Sequence, residues 1–345
     1  MTSSDRELRA QLMQLTTGYW RSQVLFAAAE LGVFDALVAG PLSATEVAAR
    51  CATAPDHTER LLNGCVACDL LEKEGGRFAN GRLATEHLTK DGAQSLTNWV
   101  RFMGDCYRPW SGLAGAIRDG RPVADGFDQI ARGADYTRHI ILAMHEYALG
   151  PGRAIVENLD LAGRKRLLDV GGGPGTYSIL LAQRFPDLAA EVLDLPPVLE
   201  ITRELIGQFG MTGRVTTREG NYITDDFGSG FDVVLLSNML HQESPETCVA
   251  LLKKAHAALA EDGLLVIQLA FLNAEKDAPV WGVLQSLQLA VLYPHGRAYS
   301  FDEVIAMLPQ AGFHDGRVKK LSLLRSESLI LATRQRPAIA MAGTK

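Results

Sequence analysis

The residues best equipped for chemistry begin where an apolar run ends in an acid and a cluster of glycines: Leu167-Leu168-Asp169-Val170-Gly171-Gly172-Gly173-Pro174-Gly175. Glycine lets the backbone turn tightly and come close to a ligand. A glycine-rich turn between a strand and a helix is a general device for holding nucleotide-like cofactors. The spacing Gly-Gly-Gly-x-Gly departs from the dinucleotide pattern G-x-G-x-x-G. An acid just before the turn would repel a pyrophosphate, whereas it suits the cationic amino-acid end of S-adenosylmethionine. Asp194 follows in Val192-Leu193-Asp194-Leu195-Pro196, at a strand end where a carboxylate can accept from both ribose hydroxyls. Glu219-Gly220-Asn221-Tyr222 ends the next apolar stretch, and Asn221 reads either as an adenine contact or as a plain turn residue. The candidate cofactor set is Asp169, Gly171, Gly172, Gly173, Asp194, Leu195, Asn221, Tyr222 and Ser237.

These residues need a sheet to carry them. From Arg166 onward, short apolar runs alternate with amphipathic helices. Strands are expected at Arg166–Val170, Ala190–Leu193, Val215–Arg218, Asp232–Leu236 and Leu264–Leu269, with helices near Gly175–Phe185, Pro197–Phe209 and Pro245–Leu259. That alternation is the signature of an α/β fold, a parallel sheet covered on both faces. Ser300-Phe301-Asp302-Glu303 is a capping box opening a helix that stops near Gly312. Arg317–Leu323 and Ser328–Thr333 would close the sheet as a hairpin. Upstream, the first 110 residues are helical in pattern. Tyr19 to Val38 reads as one apolar helix, Ser43-Ala44-Thr45-Glu46 as a capping box, and Asp56 or Thr58 as the start of a helix reaching Leu71. A small hairpin is expected from Arg77-Phe78-Ala79 and Gly81-Arg82-Leu83-Ala84. Helices followed by a hairpin give a winged-helix order, and its apolar residues point to a dimer interface. Several helices bridge the halves over 111–162, broken at Gly120-Arg121-Pro122 and at Gly150-Pro151-Gly152. The expected organisation is therefore 1–110, 111–162 and 163–345.

The 345 residues carry a net charge of −6 and are 47% hydrophobic. An acidic chain does not fit non-specific nucleic-acid binding, which needs a basic face. The sequence shows no run near the ~20 apolar residues of a membrane span and no secretory signal, so a cytoplasmic protein is expected. The five cysteines are Cys51, Cys65, Cys68, Cys106 and Cys248. An odd count argues against a disulfide framework. Cys65 and Cys68 sit in an apolar helical pattern, which favours buried thiols over metal or redox work.

Leu167 to Pro196 resembles the cofactor motif of the dimeric methyltransferases related to plant caffeate and bacterial polyketide O-methyltransferases. The resemblance extends over nearly the whole chain, including the N-terminal region, Gly312-Phe313 and the closing hairpin. It implies a Rossmann-like class I methyltransferase domain behind an α-helical, winged-helix N-terminal dimerisation domain. It also implies a homodimer, with part of each acceptor pocket completed by the partner. The family's general base corresponds to His241 in Leu240-His241-Gln242-Glu243. Histidine titrates near neutral pH and can take a phenolic proton.

The resemblance breaks at the base's partners. Gln242 replaces the aspartate that usually follows the histidine. The two glutamates that orient it fall at Leu269 and Ala298. Two polar residues stand nearby instead: Gln268, one place before the first lost glutamate, and His295, in Tyr293-Pro294-His295-Gly296. Two histidines with an oxygen donor have the composition of a metal site. On this reading His241, His295 and Gln268 are both the catalytic residues and the ligands of one divalent or ferric ion, unless Gln268 orients substrate or water. The arrangement resembles the bacterial 2-oxo acid C-methyltransferases. It implies methylation of the β-carbon of an α-keto acid through a metal-chelated enolate, in a biosynthetic, secondary-metabolic setting.

Tyr107, Trp110, Met144, Trp281 and Tyr299, with Leu284, Leu287 and Leu292, are the candidate acceptor-pocket walls; Arg108 and Arg297 leave a polar acceptor open. Two other readings compete. One is a small-molecule O-methyltransferase with His241 as base and an acid such as Glu243 assisting. The other is a binding or regulatory protein that keeps the cofactor and transfers nothing.

Overall fold

Consecutive apolar residues along the central strands bury both faces of the sheet, and the helices divide between them. The computed structural model describes residues 3–92, 94–123, 133–321 and 327–335. It divides into two units, Met1–Tyr107 and Arg108–Lys345.

The second unit holds a seven-stranded sheet. We number its strands β1 (Arg166–Val170), β2 (Ala189–Asp194), β3 (Val215–Glu219), β4 (Phe231–Ser237), β5 (Leu259–Ala270), β6 (Arg317–Lys320) and β7 (Glu327–Thr333). Their order is β3-β2-β1-β4-β5-β7-β6. The first five run parallel, and β7 pairs antiparallel with both β5 and β6. The five predicted parallel strands and the closing hairpin are all present; Ser322 and Leu323, at the end of the predicted range, lie outside the described residues.

Neighbouring residues on a strand face opposite sides. Leu168, Val170, Val234, Leu236, Ile267 and Leu269 join one core cluster with the helices Pro245–Ala258 and Phe301–Met307. Leu167, Val192, Leu235, Val266 and Leu329 join the other, beneath Ala134–Asn158, Thr176–Arg184 and Pro196–Gln208. The predicted capping box at Ser300 and Glu303 forms, and Gly312 ends that region with a left-handed backbone, φ +93°.

One predicted break fails. Ala134–Asn158 runs unbroken through Gly150-Pro151-Gly152. Proline removes one helical hydrogen bond, but tight packing holds the helix together. A Cβ on Gly152 would lie 2.6 Å from a methyl of Leu180, so glycine there lets two helices touch.

In the first unit, helices Ser3–Thr17, Tyr19–Glu30 and Val33–Ala36 precede Ala44–Cys51 and Pro55–Ala67. The expected single helix over Tyr19–Val38 is interrupted at Gly32, whose φ is +73°. The Ser43/Glu46 capping box is present. The hairpin pairs Leu71–Glu74 with Arg77–Asn80, not Arg77–Ala79 with Gly81–Ala84. Gly75 and Gly76 both have positive φ, as a two-residue turn between strands requires. Gly81 instead precedes the helix Arg82–His87. No disulfide links the cysteines, and Cys65, Cys106 and Cys248 are buried. Among the described residues no helix is long and apolar enough to cross a membrane.

Candidate active site

The glycine turn has the shape its sequence predicts. Gly171, Gly173 and Gly175 have φ of +62°, +53° and +69°, a region costly for any residue with a Cβ. Gly172 is required for a different reason: a Cβ there would sit 2.6 Å from Cγ of Asp169 and 2.9 Å from Val192. The turn is tied down on three sides. Gly171 N–H donates to the Leu193 carbonyl at 2.8 Å. Gly173 N–H donates to Oδ2 of Asp194 at 2.8 Å. The Thr202 hydroxyl donates to the Gly173 carbonyl at 2.7 Å.

Asp194 ends β2 with both carboxylate oxygens engaged by backbone N–H groups. Its second oxygen accepts from Leu195 N–H at 2.7 Å, so each oxygen keeps a lone pair for a hydroxyl. Burial raises its pKa, opposed by the Leu195 and Gly173 N–H groups. Asp169 lies deeper than expected. It is fully buried beneath the turn, with Oδ2 accepting from Ser178 at 2.8 Å and Oδ1 without a partner among the described residues. Burial pushes its carboxyl up to about 7, against the Ser178 hydrogen bond, and the Asp194 charge adds to the rise. In this arrangement Asp169 packs against the turn at Gly172, where a Cβ would sit 2.6 Å from its carboxyl carbon.

The remaining cofactor candidates divide. Tyr222 lies against the turn, its ring carbons 3.5 and 3.7 Å from a Cβ built on Gly171. Asn221 is exposed, and its side-chain oxygen accepts from Ile223 N–H at 2.8 Å, which is the turn role. Ser237 is buried and donates to Oε1 of Gln268 at 2.5 Å.

His241 sits in the 3₁₀ turn Leu240–Gln242 after β4. Its ring has no hydrogen-bond partner among the described residues, and burial holds its pKa down at about 4. Leu269 and Ala298, where the orienting glutamates are missing, are both buried. Glu243, the expected helper, gives its carboxylate to the Tyr222 hydroxyl at 2.9 Å and not to His241. His241 is therefore a neutral, unassisted imidazole.

The three-donor metal site does not form. Gln268 is one residue from Leu269, and on a strand one residue means the opposite face. Its side chain lies on the face of Val266, where Oε1 accepts from Ser237 and, at 2.9 Å, from Asn238. Its Nε2 is buried without a partner among the described residues. His295 is exposed and interacts with Glu246. The backbone does bring the two histidine segments together, Arg297 N–H donating to the His241 carbonyl at 2.9 Å. Among the described residues no three His, Cys, Asp or Glu side chains form a metal-binding group. The donors present do not fit a resident metal, and no step below runs through one.

The pocket candidates also separate. Tyr299 is core, 1% exposed, its hydroxyl donating to the Glu243 carbonyl at 2.7 Å. Leu292 is buried and Leu284 is exposed. Trp110, Met144, Trp281 and Leu287 are partly buried. Tyr107 belongs to the first unit, where it stacks on Tyr19. Arg297 is held by Glu303 at 3.4 Å and lies over the Tyr299 ring. Thr202, Ser178 and the Tyr222–Glu243 pair went unread in the sequence. Each acts across 9 to 29 residues, with no local pattern to mark it.

A glycine turn after the first strand, a carboxylate ending the second and a histidine after the fourth define a methyltransferase of the S-adenosylmethionine-dependent α/β class. Residues 94–314 match the O-methyltransferase domain family and residues 13–90 the O-methyltransferase dimerisation domain. The chain belongs to the O-methyltransferase family and is an S-adenosylmethionine-dependent methyltransferase. It is 31% identical to the 3-hydroxy-5-methyl-1-naphthoate 3-O-methyltransferase of Streptomyces sahachiroi, covering 90% of this chain and 91% of that one. It is also 31% identical to the L-tyrosine C(3)-methyltransferase of Streptomyces lavendulae, covering 85% and 83%. Human N-acetylserotonin methyltransferase, solved in complex with SAM, superposes with a TM-score of 0.88 at 29% identity, covering 97% of this chain and all of that one. Family membership sets aside the reading of a protein that keeps the cofactor and transfers nothing.

Proposed function

We propose that this enzyme methylates carbon: the β-carbon of an α-keto acid, taken in its enol form. The observation that carries the reading is the state of His241, an imidazole with no carboxylate partner among the described residues, its pKa lowered by burial to about 4. A phenol oxygen is a poor nucleophile until it is ionised, and so weak a base ionises it poorly. An enol carbon is nucleophilic without prior ionisation. Its π pair attacks the sulfonium methyl, the sulfur–methyl bond breaks to give S-adenosylhomocysteine, and the carbonyl re-forms as the enol O–H releases its proton. That proton becomes strongly acidic as the new carbon–carbon bond forms, so His241 suffices to accept it. Holding acceptor and donor together supplies much of the rate. Carbon methylation is also the activity in the name of the S. lavendulae relative.

In this reading Asp194 and the glycine turn hold the cofactor, with Tyr222 beside them, and the helices of 111–162 line the acceptor pocket. The acceptor is a small molecule. The enzyme works as a homodimer through the dimerisation domain matched at 13–90. The second reading, O-methylation with His241 as base, is supported by the family model and the naphthoate relative. It requires an acceptor that is already acidic. Incubation with methyl-labelled S-adenosylmethionine and parallel panels of 2-oxo acids and phenols separates the two. A new C–CH₃ bond beside the keto group supports the proposal, and labelled methyl ethers alone refute it.

A further inference from the structure

We propose that the Tyr222–Glu243 hydrogen bond couples occupancy of the cofactor turn to the position of His241, which makes Glu243 a positioning residue for methyl transfer. The inference rests on the reading of the glycine turn as the cofactor site and of His241 as the group that meets the acceptor.

With no hydrogen bond to its ring from any described residue, His241 takes its direction from its backbone. That backbone is gripped carbonyl by carbonyl. The Leu240 carbonyl accepts from the Cys248 thiol at 3.4 Å, that of His241 from Arg297 N–H at 2.9 Å and that of Glu243 from the Tyr299 hydroxyl at 2.7 Å. Cys248 and Tyr299 are both core residues, so this side of the turn is fixed. The other side is held by a residue of a different kind. Tyr222 is only partly buried, its ring rests on Gly171, and its hydroxyl reaches Oε1 of Glu243 at 2.9 Å.

The backbone beneath Tyr222 is itself pinned. Lys254 Nζ donates to the carbonyls of Tyr222, Ile223 and Asp225 at 3.0, 2.6 and 2.9 Å. Motion of Tyr222 is therefore motion of its ring. A cofactor lying on the glycine turn meets that ring, and the hydroxyl passes the displacement to a residue two places from His241. Linkage makes the effect reciprocal, so a ligand ordering His241 tightens the cofactor in turn.

The test uses full-length protein labelled with ¹⁵N-histidine and S-adenosylhomocysteine as the probe, with saturation verified by calorimetry. The His241 ring signals are assigned by their loss in His241→Gln. S-adenosylhomocysteine is expected to shift them in the parent protein. The shift is expected to be lost in Tyr222→Phe and in Glu243→Leu. In Glu243→Gln, which keeps an oxygen for the Tyr222 hydroxyl, it is expected to be largely retained. An equal shift in the parent, Tyr222→Phe and Glu243→Leu overturns the coupling, as does no shift in a parent that calorimetry shows to be saturated. Calorimetry that detects no binding to the parent refutes the cofactor reading itself.

Discussion

At the scale of residues, burial sets how the titratable groups behave. His241 and His145 are both held neutral by burial, each with its pKa lowered to about 4. Groups depressed in this way contribute stability that is complete above the unfolded histidine value near 6.5 and lost as pH falls through about 4. Asp169 acts oppositely. Its carboxyl is raised to about 7 from 3.8, so its contribution is complete below 3.8 and lost as pH rises through about 7. Acidification from pH 7 to 4 therefore weakens the fold through the histidines and strengthens it through Asp169. The Asp169→Asn variant, lacking that offset, is expected to lose more stability over this range than the parent in urea titrations. Parallel pH profiles would contradict the assignment. His241→Gln is expected to lower kcat by about 10²- to 10⁴-fold while leaving S-adenosylhomocysteine affinity in calorimetry near the parent value. Asp194 was readable in the sequence because a strand end and a following Leu-Pro fix its place. The orientation of Gln268 is not legible in the sequence, because it depends on which face of β5 the residue occupies, and the register to β4 decides that.

At the scale of elements, the glycine turn and the 3₁₀ turn after β4 are built by opposite means. The glycine turn needs the absence of side chains. Gly172→Ala places a Cβ 2.6 Å from the buried Asp169 carboxyl carbon and 2.9 Å from Val192, so both side chains must shift to admit it. That variant is expected to bind S-adenosylhomocysteine at least tenfold more weakly, about 1.4 kcal/mol or more, and to melt earlier in calorimetry. Unchanged affinity would show that the turn relaxes. The 3₁₀ turn is held by carbonyl acceptors for groups on distant elements, and no local pattern announces them. The same contrast explains what the sequence made visible. Short apolar runs, the capping boxes at Ser43 and Ser300, and the positive-φ glycines of the turn are local signals, and the corresponding elements are present. Pro151 looked like a break, but the packing of Gly152 on Leu180 keeps its helix whole. The hairpin turns at Gly75-Gly76, one turn earlier than the apolar pattern around Gly81 suggests.

At the scale of the molecule, the first unit exposes apolar side chains that a solitary chain would leave in water. Leu8, Leu12, Met13, Leu15, Tyr19 and Trp20 are each at least 50% exposed on two successive helices. Contiguous exposed apolar surface marks an interaction site, and this one lies in and beside the segment matching the dimerisation domain. A double variant, Leu12→Glu with Trp20→Glu, is expected to run as a monomer in light scattering while keeping its helical circular dichroism. A dimer of undiminished strength would place the interface elsewhere. The central claim concerns which atom of the acceptor receives the methyl group, and the labelled product reports it. With ¹³C-methyl S-adenosylmethionine and an α-keto acid acceptor, the account predicts a ¹³C methyl signal coupled to the proton on the β-carbon. A methoxy signal from a phenolic acceptor, with no carbon-bound label from any keto acid, would contradict it.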